Sequence, residues 1–321
     1  MSRRGWALFA AMSVIWGIPY LLIKIAVAGV PVPVLVLARV AIGAALLLPV
    51  ALRSRQLGAL RPYWGWLAIF AVVEIITPWL LLSEAERKLT SSMSGLLVAS
   101  VPIIGAVLAR LTGDTDRLTP LRWTGLLAGL AGVALLAGPG AAGGDALSIA
   151  EVLLVAVCYA TGPLVASRKL SDVPPLAMTA VCLGMAAVVY APAAALTWPA
   201  TMPSARVLVA LGTLAVLCTA VAFLLFFRLI AEIGPARATV ITYVNPAVAV
   251  TLGVLILGER LTPAMAGAFA LILAGSVLAA RSGVRRDPPG RPAPVPVLAR
   301  PAADPDVQAP ASRAAPLDSP G

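Results

Sequence analysis

The sequence predicts an all-α membrane protein: ten transmembrane helices arranged as two inverted five-helix repeats, with both termini cytoplasmic. Three observations carry that prediction. With 60% hydrophobic and 12% charged residues, a chain of 321 residues could not hide its apolar surface inside a water-soluble globule, so it belongs in lipid. Asp116-Arg117-Leu118-Thr119-Pro120 is echoed 143 positions later by Glu259-Arg260-Leu261-Thr262-Pro263, and the same offset lays Gly132 on Gly275 and Trp16 on Tyr159. Lys and Arg, finally, collect on one side of the predicted membrane.

A spanning helix needs about 20 mostly apolar residues. Stretches of that kind fall at 6–27, 32–52, 63–82, 91–111 and 121–137, then at 147–166, 176–197, 207–230, 236–257 and 262–280. The first opens behind Arg3 and Arg4 and resembles a signal peptide. Its apolar run is too long for one, however, and Lys24 stands where a cleavage region would be, so the span is expected to be retained. Short turns such as Gly138-Pro139-Gly140 and Asp172-Val173-Pro174-Pro175 separate the spans and leave no room for a soluble domain. The repeats are expected at 1–141 and 142–283. Residues 284–321 change to Pro, Ala and Arg and are expected to form a disordered cytoplasmic tail.

An odd number of crossings per copy makes the two copies enter the bilayer from opposite sides. With the N-terminus inside, Arg3, Arg4, Arg53, Arg55, Arg61, Arg110, Arg168 and Lys169 fall on the inner side, and the outer loops hold only Arg87, Lys88, Arg206 and Arg260. The segment after the second span carries Arg53 and Arg55, whereas its counterpart, 198–204, carries no basic residue. Matching positions thus received opposite charge. Tryptophan favours the headgroup level: Trp6, Trp64, Trp66 and Trp123 lie at inner span ends, Trp79 and Trp198 at outer ends, and Trp16 alone sits mid-span.

The net charge of +10 lies between apolar spans and in the tail, where it reads as a topology signal and a contact for membrane lipids, not for nucleic acid. Cys158, Cys182 and Cys218 all fall within spans and give no disulfide framework or zinc spacing. Without histidine, His-based triads, metal ligands and proton relays are excluded, and no phosphate-binding GxxxxGK[ST] motif occurs. Neither an enzyme nor a cofactor is expected.

Polar groups at the membrane midplane normally face protein or a water-filled cavity. Five spans carry an internal proline, Pro19, Pro78, Pro102, Pro163 and Pro246, each freeing a carbonyl four residues earlier. Pro102 and Pro246 take the same place in the two copies. Glu74 lies near the middle of the third span, and Arg39, at nearly the same depth in the second, is its natural partner. A structural pair, a substrate contact and proton coupling through a free Glu74 all remain open on these residues. Trp16, Tyr20 and Lys24 are spaced i, i+4, i+8 and should line one face of the first span, unless Lys24 snorkels to the headgroups and Tyr20 merely packs. Tyr159 and Thr161 occupy the matching region of the second copy, and Tyr243 with Asn245 precedes Pro246.

At Trp16-Gly17, Leu37-Ala38-Arg39, Gly258-Glu259-Arg260-Leu261-Thr262 and Gly267 to Gly275, the chain resembles the EamA-like family of the drug/metabolite transporter superfamily. The likeness runs over both repeats. It implies a multi-pass exporter or permease of small organic solutes in the bacterial inner membrane, with a central cavity lined by helices one, three, four, six, eight and nine. It departs from the family pattern at Gly113-Asp114-Thr115-Asp116-Arg117, one residue longer than its partner, and at Pro19 beside Tyr20. The partners expected are a small-molecule substrate and lipids, with proton coupling and a homodimer left open. The function expected is export of amino acids or related metabolites by alternating access, the alternative being a non-transporting scaffold or sensor.

Overall fold

The computed structural model describes residues 2–112, 120–137, 145–234 and 238–280, all within one packed unit. The expected tail, the turns at 138–144 and the Asp116 motif up to Thr119 lie outside them. Every regular element among the described residues is helical. The first half runs α1 Arg3–Ile15, α2 Pro19–Ala26, α3 Val32–Arg53, a 3-10 turn Gln56–Tyr63, α4 Trp64–Ala71, a π-turn Val72–Ile76, α5 Thr77–Ala85, α6 Ser91–Val98, α7 Val101–Leu111 and α8 Pro120–Ala137. The second runs α9 Ala146–Lys169, α10 Pro175–Leu196, α11 Ala205–Ala215, a π-turn Val216–Val221, α12 Ala222–Ile233, a 3-10 turn Thr239–Tyr243, α13 Asn245–Leu257 and α14 Pro263–Ala280.

Among the described residues, eight helical runs are long and apolar enough to cross a membrane: Arg3–Ala26, Val32–Arg53, Gln56–Ala85, Ser91–Leu111, Ala146–Lys169, Pro175–Leu196, Ala205–Ile233 and Val240–Leu257. The third extends past its predicted limits at both ends, at its N-terminal end because the 3-10 turn joins it to α4. The remaining two predicted spans are α8 and α14, of 18 residues each. At 1.5 Å per residue that is about 27 Å, slightly under the hydrocarbon thickness. Their apolar cores, Trp123–Leu136 and Pro263–Leu278, are shorter still. Large apolar side chains lie on the outer surface as well as in the core, Leu111 and Leu196 being 76% and 88% exposed, the pattern of a bundle solvated by lipid.

The offset of 143 seen in the sequence recurs in the helix limits. It carries Arg3–Ala26 onto Ala146–Lys169, Val32–Arg53 onto Pro175–Leu196 and Pro120–Ala137 onto Pro263–Ala280, residue for residue. It also carries Pro49 inside α3 onto Pro192 inside α10. The π-turns of the third and eighth runs correspond in place, although not residue for residue.

Four of the five flagged prolines begin a helix after an interruption. Pro19, Pro78, Pro102 and Pro246 stand in the first turn of α2, α5, α7 and α13, where a missing N–H costs no helical bond. Pro163 is the exception and stays inside α9.

Packing joins the two halves in matching pairs: α8 on α14, α3 on α10, α5 on α9, α2 on α11, and α6 on α13. Backbones approach most closely between α8 and α14, where glycines replace side chains. A Cβ on Gly132 would meet the Ala268 carbonyl at 2.9 Å and the Ile272 amide at 3.0 Å. One on Gly275 would meet the Gly129 amide at 2.5 Å and the Gly125 carbonyl at 2.6 Å. Since 125 and 129 map onto 268 and 272 at the same offset, the contact is reciprocal, as across a two-fold axis. Gly275→Val should therefore cost about 1–3 kcal/mol by overpacking, read as a lower thermal midpoint in detergent. Gly267→Ala, whose added carbon sits 3.7 Å from the end of Leu135, should leave the midpoint unchanged.

Candidate functional site

Arg39 is carried into the bundle by α3 and is 7% exposed. Its Nε donates to Thr219 Oγ1 at 3.1 Å, and its guanidinium carbon stands 3.6 Å above the Trp79 ring. The π-turn of the second half explains why Thr219 is there. A π-turn widens the helix by one residue per ring and leaves a carbonyl to be claimed by a side chain. Thr219 Oγ1 takes the carbonyl of Leu214, five residues back, at 2.9 Å, and so presents its oxygen to Arg39. Around the guanidinium lie Tyr159, Cys218, Glu86 and Tyr20 as electrostatic neighbours, with Tyr159 within hydrogen-bonding reach of Trp79. The tyrosine pair, the arginine and the tryptophan form one buried polar cluster contributed by α2, α3, α5 and α9.

No ion pair joins Arg39 to Glu74 among the described residues. Equal depth in neighbouring spans did not bring the two charges together, because the π-turn at Val72–Ile76 sets the direction of Glu74. That side chain lies against Gly162 of α9, where an added Cβ would collide with Oε2, and this oxygen is buried with no hydrogen-bond partner. Tyr159 is an electrostatic neighbour of both Arg39 and Glu74. In this stretch the Ile76 carbonyl accepts from the Tyr190 hydroxyl of α10.

The stripe expected from Trp16, Tyr20 and Lys24 does not hold as one face. The first span is interrupted between Ile15 and Pro19, so its three members meet three different neighbours. Trp16 packs on Phe226 and Phe223 of α12, with ring centroids 4.6 and 5.9 Å away. Tyr20, buried, lies by Gly95 of α6 and belongs to the Arg39 cluster. Lys24 does not reach for headgroups: its Nζ donates to the carbonyls of Glu86 and Leu89 at 2.6 and 2.7 Å.

The residues before Pro246 work on the helix breaks instead. At the interruption after α1, Gly17 N–H bonds the Val14 carbonyl and leaves that of Ser13 unclaimed. Asn245, its amide oriented to suit its neighbours, donates to Ser13 O at 3.0 Å and Ile241 O at 2.9 Å. Gly17 permits the approach, since a Cβ there would strike Val248. Just before Pro102, the carbonyl of Ala99 accepts from Ser276 Oγ at 3.0 Å, and the Ser276 carbonyl accepts from the Tyr243 hydroxyl at 3.2 Å. Thr161 spends its hydroxyl on the Val157 carbonyl of its own helix.

The Gly258-Glu259 motif has a clear local task. Gly258, at φ 67°, ends α13 in the left-handed region that glycine adopts freely. The reversal brings the Glu259 carboxylate onto the start of α6, where it accepts from the amides of Ser91 at 2.7 Å and Ser92 at 3.0 Å. A carboxylate at a helix N-terminus satisfies orphan donors and the dipole together.

A surface pocket lined by Glu84, Arg87, Lys88, Leu147, Ser148 and Glu151 contains none of the predicted site residues. The Arg39 cluster is closed over by contrast, with Tyr20, Arg39 and Trp79 each under a tenth exposed.

Comparison with known proteins places the chain. The EamA-like transporter family model matches residues 3–138 and again 147–281. The chain belongs to the EamA-like transporter family. It is 31% identical over 261 residues to YedA of Escherichia coli (strain K12), described as an uncharacterized inner membrane transporter, with 80% of this chain and 83% of YedA covered. The YedA proteins of Escherichia coli O6:H1 and O157:H7 match equally. A solved crystal structure, 23% identical, matches 87% of this chain and 97% of its own with a TM-score of 0.61, which speaks for the fold alone. Its membrane-capable helices are those of a multi-pass member of that transporter family.

Three residues of the cluster escape the sequence reading: Trp79, Thr219 and Glu86. Trp79 was expected at the outer interface and is instead 5% exposed under Arg39. A signal was present, since Trp79, Leu82, Ser83 and Glu86 follow i, i+3, i+4, i+7 and are all buried. Nothing in the sequence marks the π-turn that exposes Thr219.

Opposite responses are expected from the two polar groups that face helix breaks. Asn245→Leu leaves Ser13 O without its donor and should lower the thermal midpoint by the equivalent of about 1–3 kcal/mol. Glu74→Gln neutralises a half-buried carboxylate whose Oε2 is buried without a partner, and should hold or raise the midpoint at neutral pH. Scanning calorimetry or dye-monitored melting of the purified variants checks both.

Proposed function

We propose that the chain is a secondary transporter that exports amino acids or related small organic metabolites by alternating access. Its ten helices form two inverted five-helix repeats, 1–141 and 142–283, with both termini in the cytoplasm. The reciprocal glycine contact between α8 and α14 and the residue-for-residue recurrence of helix limits support the repeat. Two halves so related can open in turn to either face of the membrane.

One observation carries the substrate class. Tyr159 has two electrostatic neighbours of opposite charge, the buried Arg39 cation and the half-buried Glu74 carboxylate, that do not pair with each other or with any other side-chain charge among the described residues. A zwitterion supplies what each lacks. Its carboxylate takes the terminal nitrogens of Arg39 in the two-pronged geometry that guanidinium favours, with the Trp79 face holding the guanidinium flat, and its ammonium turns toward Glu74. Tyr20 and Tyr159 give the walls between them.

Two measurements test this reading. Comparing the extracellular metabolites of cells with and without the gene should yield a carboxylated amine whose export Arg39→Lys weakens. The loss expected is on the order of 10- to 100-fold in kcat/KM, as for one charge-assisted hydrogen bond; an unaffected rate would remove Arg39 from solute binding. Single cysteines at Thr112 and Arg260 should be labelled from opposite sides of the membrane by an impermeant thiol reagent. Labelling of both from the same side would end the inverted arrangement.

A further inference from the structure

Glu86 is used by nothing described so far. It ends α5 one residue beyond the third span, is 0% exposed, and neither of its carboxylate oxygens has a hydrogen-bond partner. Its surroundings are crowded with charge. From α2, Lys24 holds the Glu86 and Leu89 carbonyls, yet its ammonium makes no ion pair with the carboxylate. Tyr20, also on α2, Arg39 on α3, and Glu259 from the turn after α13 face it as well.

This corner is also where the halves are clasped. Glu259, from the second half, holds the first turn of α6 through two amides and the Ser92 hydroxyl. Glu86 and Leu89 lie in the turn that leads into that same helix. Parting α6 from the Glu259 turn would admit water to Glu86, and closing the two expels it.

We propose that Glu86 is a proton-binding site that gates this corner: the closed clasp holds Glu86 as the neutral acid, and opening the clasp hydrates it and releases the proton. The proton leaves the carboxyl oxygen for water, and the carboxylate that remains is stabilised by hydration and by the Lys24 ammonium. Proton over metal cation is favoured by that ammonium, which repels a cation but not a neutral acid. Burial pushes the Glu86 carboxyl well above the usual carboxylate range, with Lys24 and Arg39 opposing and Glu259 adding to the rise. In the open, hydrated corner the group returns toward its ordinary value near 4.3. Between those two values the closed state binds more protons than the open one, so raising the pH favours opening.

The inference rests on the alternating-access reading above, but its test needs no solute. With Cys158, Cys182 and Cys218 replaced by serine, a cysteine is placed at Ser94, which is buried and whose hydroxyl has no partner to lose. The protein, in nanodiscs so that both faces are reached, is labelled with an impermeant thiosulfonate between pH 5 and 9. The labelling rate, divided at each pH by that of a small free thiol so that thiol ionisation cancels, should climb with pH by up to about tenfold per unit, stay low and flat in Glu86→Gln, and keep its climb in Glu86→Asp. Lys24→Met, which removes the nearby ammonium, should move the climb to higher pH and serves as the second arm if Glu86→Gln does not elute as a folded protein. A rate indifferent to pH in the parent, an unchanged climb in Glu86→Gln or an unmoved climb in Lys24→Met overturns the proposal. So does labelling that follows sodium at fixed pH, which would give the carboxylate to a metal cation. A negative export assay beside a clear pH response would fault the solute reading and leave the proton site standing.

Discussion

A helix that stops and restarts inside lipid strands polar backbone where no water can reach it, and the whole bundle is arranged around that constraint. Four of the interruptions are met by a side chain from the other half of the chain. Asn245 takes the Ser13 carbonyl, Tyr190 that of Ile76, and Ser276 that of Ala99, while Arg39 holds the Thr219 that fills the π-turn at Val216–Val221. The halves are therefore stitched together at their weakest backbone. A single such bond is worth only about 1 kcal/mol net, against several for the group left bare in lipid. Motion at these breaks is cheap so long as every carbonyl keeps a donor, which favours rocking of intact segments over their unwinding.

Much of this was legible in the sequence, and the limits of legibility are physical. Pro19, Pro78, Pro102 and Pro246 announced the breaks because a missing N–H acts within its own helix. The superposition of Gly132 on Gly275 marked the repeat, and the structure puts both glycines in the α8–α14 contact, where only glycine lets backbones approach so closely. What failed was the pairing of Arg39 with Glu74. Depth along a helix follows from counting residues, but the direction of a side chain depends on rotation about the axis, and a π-turn shifts that rotation by an amount no hydropathy pattern records. Trp79 was misplaced for the related reason that a tryptophan near a span end can face either headgroups or protein.

The backbone is close to symmetric while its chemistry is not. Arg39 on α3 corresponds at the common offset to Cys182 on α10, also buried, whose thiol donates only weakly to the Leu67 carbonyl at 3.5 Å. One half thus brings a permanent cation to the centre and the other a small, nearly apolar side chain. On the alternating-access reading, pseudo-two-fold symmetry of the fold would offer two openings, and asymmetry of charge would let a solute bind in one orientation.

The turn between α5 and α6 shows how such a protein could hold one face shut without a large interface. Lys24 completes the C-terminal end of α5 and Glu259 the N-terminal end of α6, so each helix dipole meets the opposite charge. The two clamps differ in where they come from. Lys24 belongs to the same half as the turn and travels with it, whereas Glu259 reaches across from the second half and must let go when α6 parts from α13. Its bonds are charge-assisted, at roughly 1.5–3 kcal/mol each, so release needs compensation from elsewhere in the cycle. A ligand shifts such an equilibrium only by its difference in affinity for the two states. Arg39, an electrostatic neighbour of Glu86, is the residue through which a bound carboxylate would make itself felt at this turn. Neutralising Arg39 withdraws from Glu86 a cation that opposes its protonation, so solute binding and proton uptake at that corner should reinforce each other.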